Sequence, residues 1–265
     1  MKLFLKQDAL EFASESRLRS LIQKYSEFVH FPIELQASKT VSKEVEVEEE
    51  ETAEGENHED LDENAEKKKK TKTVSEQVVD WEQINVNKAI WTRDRTEITP
   101  EEYNNFYKSY TKDNQDPLFY NHFRGEGEVD FNSLLYIPKT ADWNQINEYY
   151  NKQSNIKLYV RRVLIQDTFD DIVPKYLNFI RGVIDSDDLP LNVNRESLQQ
   201  NKILKTISKK ITKKILDMIT ELSKNKEDYK EFWKLYSRQI KMGLLEPEPN
   251  KDKLLKLIRF KSSTH

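Results

Sequence analysis

Residues 185–205, DSDDLPLNVNRESLQQNKILK, hold the side chains best placed to do chemistry in this 265-residue chain. Three acids, Asp185, Asp187 and Asp188, open the stretch. Pro190 then fixes an extended turn. Asn194 suits the cap of a helix beginning at Glu196, because its side-chain oxygen can accept an orphan amide N–H of the first turn. Arg195 would then sit at the positive end of a helix dipole, where a cation is disfavoured unless an anion joins it. Free amide N–H groups beside a planar guanidinium form a site for phosphate. Gln199 lies one turn further on the same face. A structural alternative satisfies the same residues: Arg195 paired with Asp187, Asp188 or Glu196.

Little else in the chain invites catalysis. The four histidines, His30, His58, His122 and His265, are scattered without metal-ligand spacing, and there is no cysteine to join them. No metal site is expected. There is no GxSxG elbow and no Walker loop, so no self-contained enzyme is expected.

Composition misleads unless it is divided. The formal charge is −4, but residues 44–66 hold thirteen acids and no Lys or Arg; without them the charge moves from −4 to +9. Lys67 to Lys70 and Lys72 follow directly. Such a run has little to bury and reads as a disordered, charged linker over 37–76. It could attract calcium weakly, although it lacks converging ligands, or it could screen a basic helix. No apolar run approaches the roughly 18 residues of a membrane span. The start, MKLFLKQDALEF, has charges where a secretory leader needs an apolar core.

The elements that must position the 185–205 stretch read as follows. KLFLK (2–6) reads as a strand end, a helix carries Leu18, Leu21, Ile22, Tyr25, Phe28 and Val29, and FPIEL (31–35) reads as a short strand. VVDWEQI opens a globular region near residue 77. Thr99, Pro100 and Glu102 predict a capped helix start with a capping box, and Tyr103, Phe106, Tyr107 and Tyr110 give its core face. Strands are expected at 117–124, 128–138 and 156–166, the first two as a hairpin. In the third, Arg161 and Arg162 would project to opposite faces. PKYLNFIRGVI (174–184) reads as a helical turn entering a strand. A long helix over 196–224 carries Leu204, Ile207, Ile211, Ile215, Met218, Ile219 and Leu222 on one face. Its lysines (Lys202, Lys205, Lys209, Lys210, Lys213 and Lys214) form a stripe elsewhere, read as a solvated face. Nucleic-acid binding would need aromatics or a recognition motif, and neither is present. A helix over 226–245, a PEPN turn and a third short helix follow.

LPLNVNRESLQQNKILK resembles the catalytic-loop segment of the middle domain in the heat-shock protein 90 chaperones. IKLYVRRVLIQD (156–167) and YLNFIRGVIDSDDLP (176–190) resemble the two segments before it, and IWTRDRTEITPEEYNNFYKSYTKD (90–113) resembles the start of that domain. VVDWEQIN (78–85), FVHFPIEL (28–35) and RFKSSTH (259–265) are similar to the family's endoplasmic-reticulum branch. The resemblance implies an α/β fold: a layered middle-domain sheet followed by a helical coil. It implies three parts: residues 1–36 as the strand–helix–strand end of an ATP-binding domain, 37–76 as the linker, and 77–265 as an incomplete middle domain. It further implies that Arg195 contacts the γ-phosphate of ATP, with Mg, held by the N-terminal domain, and that Gln199 and Asn192 share this catalytic loop. Trp91 and Leu164 match positions linked to client binding, although the family more often has phenylalanine at the latter and serine at Asn194. The whole protein would be an ATP-driven homodimer, joined through a missing C-terminal domain, that binds clients and cochaperones. No nucleic acid or membrane partner is implied. The branch places it in the endoplasmic-reticulum lumen, with the cytoplasm as the alternative. The fragment alone would not hydrolyse ATP. A client- or cochaperone-binding module without a catalytic part, or a basic scaffold for acidic partners, would use the same surfaces.

Overall fold

A computed structural model describes residues 2–46, 71–141, 154–168, 172–189, 202–246 and 250–260, with backbone alone for 39–46 and 71–78. Two compact units form: residues 1–20 with 33–84, and residues 21–32 with 85–265.

In the first unit, residues 2–6 are irregular rather than a strand end, and a 3-10 segment, Gln7–Ala13, follows. Helix α1 (Glu15–Tyr25) starts in this unit. Strands β1 (Glu34–Glu46) and β2 (Thr71–Gln83) pair antiparallel from Glu34 opposite Gln83 to Glu46 opposite Thr71. The Arg19 guanidinium bridges Glu15 at 3.3 Å and Glu82 at 3.0 Å, tying α1 to β2. The linker boundary expected at 37–76 is therefore corrected, because both of its flanks are strands. The β-branched Thr and Val of KTVSKEVE and TKTVSEQVV favour an extended backbone despite the charge. Residues 47–70 lie outside the described residues, and with them the expected disorder, weak calcium binding and screening of the basic helix.

The second unit is built on one five-stranded sheet, in the order β3 (Phe119–Gly125), β4 (Phe131–Ile137), β7 (Arg181–Ser186), β5 (Asn155–Val160) and β6 (Val163–Gln166). Neighbours run antiparallel except β5 and β7, which are parallel. The hairpin expected across the GEGE turn forms as β3–β4. The run 156–166 does not form one strand. It folds into β5 and β6, with Val160 opposite Val163 and Arg161–Arg162 as the turn, both in left-handed conformation at φ 51° and 66°. Two positive φ values match the right-handed twist of a two-residue hairpin, although such turns normally carry Asn or Gly. Arg161 and Arg162 are thus turn residues, not side chains alternating on a strand.

Side chains alternate across the sheet because successive strand residues face opposite ways. On one face, Leu135, Ile137, Ile156, Leu158 and Ile184 pack with Ile207, Ile211, Ile215 and Ile219 of helix α3 (Lys202–Leu222). Helices α4 (Lys226–Met242) and α5 (Lys251–Leu257) complete that layer. The residues 247–249 of the expected PEPN turn lie outside the described residues, as does the end of RFKSSTH. The lysine stripe of α3 is largely exposed, but Lys210 Nζ donates to the Glu126 carbonyl at 2.6 Å.

The opposite face packs on helix α2 (Pro100–Thr111), whose Tyr103, Phe106 and Tyr107 are buried as expected. Thr99 caps it by accepting the Glu102 N–H at 3.2 Å. Glu102 does not close a capping box; its carboxylate pairs with Arg93 at 3.1 Å. Phe28, expected within a remnant of another domain, belongs to this core, with its ring 4.7 Å from that of Trp91. The Asn85 side-chain amide donates to the carbonyls of Val29 and Phe31, fastening the segment before Phe31 to residue 85. Residues 21–32 thus pack in the second unit, while residues 33–84 belong to the first.

His122 on β3 sits between α2 and the Trp91 segment. Its Nδ1 accepts the Tyr103 hydroxyl at 2.8 Å and its Nε2–H donates to the Trp91 carbonyl at 3.0 Å, since a carbonyl can only accept. Burial pushes the imidazole below the usual histidine range. A folded pKa below the unfolded one gives stability that is complete above about pH 6.5 and is lost as pH falls through the folded value. The urea midpoint should therefore fall between pH 7.5 and 5.5, and His122→Gln should flatten that slope; an unchanged slope in the variant would contradict this assignment. Gly182 of β7 has φ 156°, and a Cβ there would lie 2.3 Å from the Leu134 carbonyl oxygen of β4. Gly182→Ala should destabilise the chain by about 3 kcal/mol in urea unfolding, the cost of forcing a rigid backbone apart.

Candidate functional site

Arg195, Gln199, Asn192 and Asn194 all lie outside the described residues, which stop at Leu189 and resume at Lys202. What the structure describes is the frame that holds this segment at both ends. Leu189 and Leu204 are both buried in the core beneath α3.

A polar knot fixes the departing end. The Ser186 hydroxyl donates to the Asp130 carbonyl at 2.8 Å and accepts the Asp188 N–H at 3.3 Å. Asp188 returns a carboxylate oxygen to the Asp130 N–H at 2.8 Å. The Asp130 carboxylate takes Arg124 at 3.2 Å and the Gly127 N–H at 3.3 Å. The β3–β4 turn is thereby bonded to the end of β7, and Lys210 links that turn to α3. Asp187 and Asp188 are exposed, so both acids that flank the segment face solvent.

One residue earlier, Asp185 points to the other face. It is 4% exposed. Its two oxygens take separate donors: Oδ2 accepts the Trp91 indole N–H at 2.9 Å and Oδ1 accepts the Arg162 backbone N–H at 3.2 Å. Burial pushes this carboxyl above the usual carboxylate range, against the pull of those two donors and the Arg162 charge. The three acids of DSDD therefore have different roles: one is an interior acceptor and two are surface groups. Composition hid this difference. Period two along β7 could have exposed it, because Asp185 shares a face with core residue Val183.

Trp91 and Leu164, expected to meet clients, are interior instead, at 0% and 3% exposure. Trp91 is enclosed by Phe28, Phe106 and Tyr159 at ring separations of 4.7, 5.7 and 5.3 Å. Leu164 packs in the same cluster. As folded here, neither offers a contact surface. Among the described residues, no group of His, Asp and Glu is arranged to hold a metal ion.

Comparison with known proteins gives this frame a lineage. The sequence pattern described as Hsp90 protein matches residues 11–265. An endoplasmin homolog of Caenorhabditis elegans is 48% identical over 261 residues, covering 98% of this chain and 34% of that protein. An endoplasmin homolog of Hordeum vulgare is 48% identical over 294 residues, covering 99% of this chain and 36% of that protein. The chain thus spans about a third of the length of these relatives. The solved middle domain of a Plasmodium falciparum heat shock protein aligns with a TM-score of 0.57 at 32% identity, covering 64% of this chain and 66% of that one. A match over nearly the whole sequence, joined to a middle-domain fold, has one conclusion: the chain belongs to the Hsp90 family and is endoplasmin-like within it.

Proposed function

We propose that this chain is the central part of an ATP-driven chaperone and that its catalytic contribution is a single guanidinium. Arg195 reaches the γ-phosphate of ATP bound by a domain outside this sequence. Gln199 and Asn192 share the loop. ATP and its magnesium belong to that other domain; this chain brings a positive, permanently charged fork to the phosphate undergoing transfer. Because the fork is useful only when the domains meet, hydrolysis follows closure. The observation that carries the reading is the segment LPLNVNRESLQQNKILK at the end of β7, inside a family match that runs from 11 to 265. The burial of Leu189 and Leu204, both within that stretch, in the core supports it.

The parent protein acts in the endoplasmic-reticulum lumen as a homodimer, with client proteins and cochaperones as partners; the endoplasmin relatives support this. Given their burial, Trp91 and Leu164 contribute to client response through the core they share with β7 rather than by touching a client. The acidic run within 44–66 serves as a tether with weak affinity for calcium. In the full-length protein, Arg195→Ala should lower ATP turnover by on the order of 10³-fold while ATP affinity changes little. Parental turnover in that variant would overturn the reading.

A further inference from the structure

Helix α4 buries Tyr229, Phe232, Tyr236 and Ile240 in the core. Beside them Lys230, Lys234, Ser237 and Lys241 recur at three- and four-residue spacing and line an open groove of about 980 Å³. Trp233, part-buried against the core, and Arg259, just past the end of α5, line it as well. The charge of this groove is unbalanced. Four cations (Lys230, Lys234, Lys241 and Arg259) meet two acids (Glu227 and Glu231), a net of 4 − 2 = +2. Both acids have other roles. Glu231 pairs at 3.7 Å with Lys139, which does not line the groove, and Glu227 stands in the first turn of α4, where the helix dipole favours a negative charge. Among the described residues, none of the four cations has a carboxylate partner. Two of them lie on rings instead. Lys241 Nζ is 5.5 Å from the Trp233 ring centre and 4.8 Å from that of Phe260, which is 76% exposed, and the Arg259 guanidinium is 5.6 Å from the Tyr229 ring. Arg259 Nη1 donates to the Lys256 and Ile258 carbonyls at 2.8 and 2.9 Å, so the end of α5 holds this side chain while its Nε and Nη2 have no partner among the described residues. A ring holds a cation without neutralising it, so these groups can still take carboxylates.

We propose that this groove docks a short acidic peptide segment of a partner protein, one with an aromatic side chain between its acids. The acids pair with Lys230 and Lys234 along α4 and with Lys241 and Arg259 beside α5, and the ring lies against Trp233 and Phe260. Lys230 to Lys241 spans about 16 Å at ~1.5 Å per helical residue, a length that about five extended residues cover at ~3.3 Å each. The unpaired cations select an acidic segment over an apolar one. The part-buried Trp233 and the exposed Phe260 set a peptide apart from a plain polyanion. The proposal goes beyond the phosphate-contact reading and does not rest on it, because no residue of the groove belongs to the 190–201 segment.

The test uses the full-length protein and a fluorescein-labelled peptide of four glutamates around a central phenylalanine, with binding read by anisotropy. Affinity should fall about tenfold between about 50 and about 500 mM salt, because the pairs are open to screening. Lys234→Glu joined to Arg259→Gln, both at exposed positions, should weaken binding at least about tenfold. Serine for the peptide's phenylalanine should weaken it several-fold. A benzophenone in place of that phenyl ring should cross-link to residues 226–242 or 259–260 of the parental protein, a readout that needs no variant. Absence of binding, parental affinity in the double variant, equal binding of a peptide with lysine for glutamate, or cross-links confined to other parts of the protein would each overturn the proposal. Displacement by polyuridylate as effective, charge for charge, as by unlabelled peptide would also overturn it, since that marks a general polyanion site.

Discussion

A carboxylate inside a protein must find donors for both oxygens or lose its charge, and Asp185 answers that demand by joining elements that sequence keeps far apart. It can do so because β7 is interior to the sheet, between β4 and β5. One face of β7 supplies Ile184 to the core beneath α3, and the other supplies Val183 and Asp185 to the core around Trp91. Hydrogen bonds to an ionised acceptor contribute roughly 2 kcal/mol each, whereas a donor left bare in such a site is penalised by a similar amount. The second core therefore has a fixed polar point within an otherwise aromatic cluster. β7 also admits little adjustment along its length, since Gly182 lies against the β4 backbone and accepts the Tyr110 hydroxyl through its carbonyl at 2.6 Å.

β7 precedes residues 190–201 in the chain, and α3, which follows them, is packed along nine buried positions from Leu204 to Leu222. The phosphate contact proposed for Arg195 thus lies, in chain order, between two packed elements.

Much of this was legible in the residues, for physical reasons that differ by element. The helices α2 and α3 could be read because their apolar positions recur at helical spacing, and Thr99–Pro100 marks the start of α2 without ambiguity. The β3–β4 hairpin was legible from its glycines. The turn at Arg161–Arg162 was not, because two arginines carry no turn signal; what places them there is the pairing of Val160 with Val163 and the buried acceptor beyond. Phe28 looked like part of a separate piece because sequence distance from Trp91 hides their contact. The strand flanks of the acidic linker were obscured by charge, which dominates composition although both flanks are rich in β-branched Thr and Val. The role of Asp185 was hidden for the opposite reason: it sits among acids of the same type, and only its face of the strand sets it apart. His122 was one of four scattered histidines until the fold set it between a hydroxyl and a carbonyl.

The central claim is that the Trp91 indole is held inside by Asp185. The most direct measurement is the exchange of the tryptophan indole protons in a ¹H–¹⁵N spectrum after transfer to D₂O. Trp81, 62% exposed on β2, serves as the fast reference within the same molecule. The Trp91 Nε1–H signal should persist long after that of Trp81 has vanished. Loss of both signals at the same rate would contradict the account.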